Sequence, residues 1–241
     1  MSEHLVKHTR KAFSIFRLKD MGWKHKASEL LFEVFIIVVA VSISLLLERW
    51  REKSLDREHE TEFLEGLKTD LISDIEEMRG DSVSYMKLMK AYGYFIRNAK
   101  KPMDSAQFYI NSIYSAASFQ ANSSRFEGLK SSGKLDIIED SELRNRILLF
   151  YQENIPSLVS STEIFLTSSR NPLVDVLDHE LNFESKEKLS ESISTTMSRL
   201  YPQNILMSRK GFIDEILSRY QVSLKSAREI VHRIEEKEHK E

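Results

Sequence analysis

One carboxylate stands at the edge of the most apolar stretch of this chain. Residues 34–47 (VFIIVVAVSISLLL) carry no charge, and Glu33 precedes them directly, behind Leu30, Leu31 and Phe32. A carboxylate inside a bilayer costs roughly 3 kcal/mol on insertion scales unless it pairs, takes up a proton or faces protein. Three kinds of chemistry are open to it. Glu33 can be a structural anchor that snorkels to the headgroups or pairs with Lys26 or a neighbouring chain. It can be a proton or ion site, or it can contact a partner. At about 100° per residue, Glu29, Glu33, Ala40, Ser44 and Glu48 fall on one stripe. Ala40 and Ser44 make it a small-xxx-small face, the kind that lets helices approach closely. Glu33, Ala40 and Ser44 are therefore the candidate helix-association face.

Other reactive residue types form no constellation. His4 and His8 share a helical face, but in a basic segment they read as a solvated pair. Asp178-His179-Glu180 begins like the zinc motif HExxH, yet the second ligand position holds Phe183. There is no phosphate loop and no G-x-S-x-G elbow. The chain has no cysteine, which excludes disulfides, thiolate nucleophiles and cysteine-ligated metals. Asp70/Asp74 and Glu76/Glu77 sit in a helix dense in charge and read as a solvated face. The expectation is of no enzyme, no cofactor and no metal.

The elements that position these residues follow from composition and periodicity. Of 241 residues, 41% are hydrophobic and 30% charged, with only seven glycines and four prolines. That balance predicts an all-α chain. Residues 27–47 are long enough to cross a bilayer as one helix. The run starts late and ends without a small-residue cleavage site, so it reads as an uncleaved signal anchor. Residues 1–26 form a basic leader with seven Lys/Arg, against four in residues 48–67. The positive-inside rule then puts the N-terminus in the cytoplasm and residues 48–241 outside, in the periplasm or extracellular space. Trp23 and Trp50, the only two tryptophans, bracket the span as interface anchors. Within the leader, residues 4–19 read as an amphipathic helix on the anionic inner leaflet. Near-neutral net charge, formally -2, argues against a nucleic-acid partner.

Beyond Trp50 the apolar residues turn to heptads, Leu64, Leu67, Leu71, Ile75 and Met78, then Tyr85, Met89, Tyr92 and Ile96. The span is predicted to continue as one helix to about residue 98, bent at Arg79-Gly80 and stopped by Pro102. A short helix capped by Asp104 or Ser105 should reach residue 119. Another should start at Asn122 or Ser123 and end at Gly133. Ser141 should open a long helix with a bend or stop near Pro156 and an end before Asn171-Pro172. A short helix follows, then a polar one over about 185–200. The last helix, after Tyr201-Pro202, should dissolve into the tail EEKEHKE.

Two stretches carry a resemblance. EVFIIVVAVSISLLLERWRE, from Glu33 to Glu52, aligns on a pattern reading roughly GE, an apolar run with Gly and then Ala four residues on, and NNWNE. Glu33, Trp50 and Glu52 keep that pattern; Ala40 stands at the Gly and Ser44 at the Ala. Phe32 replaces the first Gly, and Glu48-Arg49 replaces the Asn pair. EFLEGLKTDLISDIEEM follows, and FEGLKSSGKL with IIEDSELRNRILLFY forms a second signature. In these residues the chain resembles the bacterial membrane proteins called domain of unknown function 6090. The resemblance implies a membrane anchor and a helical domain, and no assigned activity. The expected protein is a homo-oligomeric scaffold, sensor or complex subunit in the inner membrane, whose outer bundle binds a partner such as another membrane protein. The alternative is a subunit of a pore or proton-driven motor that uses Glu33.

Overall fold

The computed structural model describes residues 23–98, 105–116 and 118–239, with side chains from residue 27. The leader helix over 4–19, the stop at Pro102, the cap at Asp104 and the side chains of Trp23 and Lys26 lie outside the described residues. Every described element is helical. The first helix, α1, runs over Trp23–Arg97. The chain divides into two compact units, Met1–Glu58 and His59–Glu241, which groups residues 48–58 with the apolar part of α1.

Among the described residues of the first unit no other segment covers the apolar run. Its large side chains range from 38% exposed at Val39 to 69% at Leu31. Among the described residues one helix, near the N-terminus, is thus long and apolar enough to cross a bilayer, and none of its most apolar stretch is buried.

The second unit is an antiparallel bundle. From His59 onward α1 ascends, and Asn98 ends it by donating its backbone N–H (3.1 Å) and side-chain Nδ2 (2.8 Å) to the Tyr94 carbonyl. The chain descends through α2 (Ala106–Tyr114), α3 (Ser124–Ser131) and a 3-10 turn (Leu135–Ile137). It ascends again through α4 (Ser141–Leu149), α5 (Ile155–Phe165) and α6 (Asn171–Glu180). After α7 (Lys186–Met197), α8 (Leu200–Glu238) descends along the whole bundle. Contacts fix these directions. Glu60, Asp81 and Phe95 of α1 meet Lys237, Tyr220 and Gln203 of α8 in reverse order. The core joins them through fully buried Leu67, Leu71, Met78, Tyr92, Phe126, Phe150, Phe165 and Ile213. Phe126 stacks on Tyr151 with ring centroids 4.6 Å apart.

Several expectations are corrected. The upper core line of α1 is Tyr85, Leu88, Tyr92 and Phe95, while Met89 and Ile96 only pack against its flank. Helix α2 stops at Tyr114, short of residue 119. The rod α4–α6 does not end before Pro172. Each proline is preceded by a π-helical turn, Phe150–Asn154 and Leu166–Arg170. Ile155 donates five residues back to the Phe150 carbonyl and Asn171 to the Leu166 carbonyl. Proline has no N–H and its ring collides with the carbonyl four residues back; a wider turn there absorbs both demands. Phe150, Phe165 and Leu173 are fully buried along this continuous segment. Helix α8 starts before Pro202, since its first turn needs no donor. It stays helical to Glu238, where the tail was expected to dissolve.

Gly133 closes α3 as predicted, and it is the one residue at positive φ (70°) among those described. Gly133 N–H donates to the Lys130 carbonyl and Lys134 N–H to the Leu129 carbonyl, the paired bonds of a Schellman cap. A Cβ built at Gly133 meets nothing within 4 Å. Gly133→Val should therefore cost about 1–3 kcal/mol from backbone strain alone. A thermal melt of the variant checks this; an unchanged midpoint would refute the strained turn.

Candidate functional site

Two groups of residues are candidates, one in each unit. On the span, 1.5 Å of rise per residue sets Glu33 and Ala40 about 10 Å apart and Ala40 and Ser44 about 6 Å apart. Ala40 and Ser44 are exposed on the helix surface, and Glu33 is half-buried against its neighbours. The Ser44 hydroxyl donates to the Ala40 carbonyl at 3.0 Å. That bond satisfies the hydroxyl within its own helix. The face is consequently small at both positions, with Glu33 as its ionisable member. Trp50 is 75% exposed beyond the end of the run, free to meet a headgroup layer.

In the second unit the sequence reading missed three acids. The core line of α1 recurs at seven-residue intervals through Glu60, Leu67, Asp74, Asp81, Leu88 and Phe95. Asp74 is fully buried, against the expected solvated face. Its Oδ1 accepts from Asn122 Nδ2 at 2.7 Å and from the Asn122 backbone N–H at 3.1 Å. Burial pushes its carboxyl above the ordinary aspartate range, and the Asn122 bonds only partly offset that. Glu60 is 2% exposed and accepts from the Glu139 backbone N–H (2.9 Å) and from Lys237 Nζ (2.5 Å). Asp81 accepts from the Tyr220 hydroxyl at 3.0 Å and is likewise pushed upward by burial. The signal was available: counting heptads by position rather than by apolar residues puts all three acids on the seam.

The remaining acids are surface partners. Asp70 accepts from Arg125, whose guanidinium lies against Gly66, where any Cβ would collide with it. Asp178 accepts from the Tyr114 hydroxyl at 2.8 Å, and burial with that bond pushes Tyr114 up to about 12. Glu180 pairs with Arg199. His179 is 77% exposed and bonds the Asp175 carbonyl one turn back. The three residues Asp178-His179-Glu180 thus diverge to separate partners. Among the described residues no group of three His, Asp or Glu is placed to hold a metal ion. Asp140 caps α4 by accepting from the Glu142 and Leu143 backbone N–H groups and pairs with Arg233. No family model, no curated protein and no solved structure matches the chain.

Proposed function

We propose that the chain is a single-pass membrane subunit related to the domain of unknown function 6090 proteins. Its N-terminus lies in the cytoplasm and its bundle outside the inner membrane. It self-associates through Glu33, Ala40 and Ser44, and the bundle engages a partner protein. One observation carries the reading. Among the described residues nothing covers the apolar side chains of residues 30–47, whereas the bundle from His59 buries a core of its own. A surface so continuously apolar calls for lipid or another helix. The Ser44 bond to Ala40 supports packing as the mode of association, with Glu33 supplying the polar contact.

The test is Glu33→Gln. An amide keeps the size and hydrogen bonding of the carboxyl but cannot take up and release a proton. A structural Glu33 predicts that the variant purifies in mild detergent with the same co-purifying chains in the same ratio, and with function intact. Normal assembly with lost ion flux or membrane potential would instead favour a pore or motor subunit.

A further inference from the structure

Heptad seams repeat themselves, and α1 and α8 both carry one. On α8, Leu206, Ile213, Tyr220, Ala227 and Ile234 are buried at seven-residue intervals. Sliding α8 along α1 by seven residues, about 10 Å, therefore sets apolar residues against apolar residues again at most positions. The apolar pattern alone does not choose the register. Two polar contacts, each with one fully buried member (Glu60 and Tyr220), do discriminate. Glu60 meets Lys237 at 2.5 Å near one end of the pair, and Asp81 meets Tyr220 at 3.0 Å in its middle. After a one-heptad slide Asp81 would face Ile213 or Ala227 in place of the Tyr220 hydroxyl. In one direction Glu60 would face Ile230 in place of Lys237. Each slid register thus strands a carboxylate in an apolar core.

We infer that Glu60–Lys237 and Asp81–Tyr220 are register keys, which hold α8 at one axial position on α1 and forbid the slid alternatives. Asp74 with Asn122 plays the same part between α1 and the segment leading into α3. The part-buried ion pairs Arg146–Glu229 and Arg233–Asp140 tie α8 to α4 and its cap rather than to α1.

The chain contains no cysteine, so spin labels go only where cysteines are introduced. Ile72→Cys and Met207→Cys place them on exposed positions well separated along the helix pair. Their distance is measured by pulsed electron paramagnetic resonance on the full chain in lipid nanodiscs. With the keys intact, one distance is expected. Replacing both members of each key by apolar residues (Glu60→Leu with Lys237→Leu, Asp81→Leu with Tyr220→Phe) strands no charge; the one donor released, the backbone N–H of Glu139 that Glu60 accepts, belongs to an exposed residue within reach of water, so the bundle stays helical. That variant should add a second distance displaced by about 10 Å. A single, unchanged distance would overturn the inference, because the register would then rest on other contacts. Loss of helicity would overturn it too, since the pairs would then hold the fold together rather than select among folded registers.

Discussion

Asp74→Ala should destabilise the bundle by about 3 kcal/mol. The substitution removes the acceptor for both the Asn122 backbone N–H and its side-chain amide. Unpaired buried donors, and hydrogen bonds to a charged group, each cost on the order of 1–3 kcal/mol. Asp74→Asn retains a carbonyl for those donors and should cost under about 1.5 kcal/mol, by the same reasoning. The pair also isolates a pH signature. Burial holds the folded-state carboxyl of Asp74 above 3.8, so the folded state binds the proton more readily than the unfolded chain does. Its contribution to stability is fully present below 3.8 and is lost as pH rises through the folded value. The native chain should therefore gain stability relative to Asp74→Asn as pH falls from neutral toward about 4. Asp140 has the opposite sign. Burial pushes its carboxyl up, but the Leu143 N–H, Arg233 and the Glu142 N–H outweigh it and leave it below 3.8. The stability it contributes is present above 3.8 and lost as pH falls further. Chemical denaturation of both Asp74 variants at a series of pH values checks this. A difference between native and Asp74→Asn that is flat in pH would show that Asp74 does not titrate as a buried acid.

Ala40→Leu and Ser44→Leu should each weaken self-association of the span by about tenfold, because a large side chain holds the helix backbones apart. Ser44→Leu also removes the hydroxyl bonded to the Ala40 carbonyl, but that bond lies within one helix, so the loss is steric. Val39→Leu, off the stripe, should change association by less than about twofold. A transmembrane association assay that ranks the three alike would place the contact on another face.

Much of the architecture is legible in the residues. Low glycine and proline with heptad periodicity give helices, residues 34–47 give the candidate span, and Gly133 gives its turn. What local reasoning misses is set by distant partners. Asp74 looks solvated because its neighbours Glu76 and Glu77 are charged, and only Asn122, brought in by the fold, makes burial tolerable. The tail after Ile234 looks too polar to order, but Lys237 has Glu60 to reach and Glu238 has Lys68. Pro172 looks like a helix end because the rule for proline concerns a regular turn, and a π-helical turn evades it. The span face is different in kind: Glu33, Ala40 and Ser44 share one stripe by helical angle alone.

The most direct test of the account is the topology of the single crossing. Single cysteines in this cysteine-free chain, at Ser2 in the leader or at exposed Val222 on α8, report the side each end occupies. On intact spheroplasts a membrane-impermeant maleimide should label Val222→Cys and leave Ser2→Cys unlabelled until the membrane is opened. The reverse pattern, or recovery of the chain in the soluble fraction with both positions equally reactive, would contradict a membrane subunit anchored with its bundle outside.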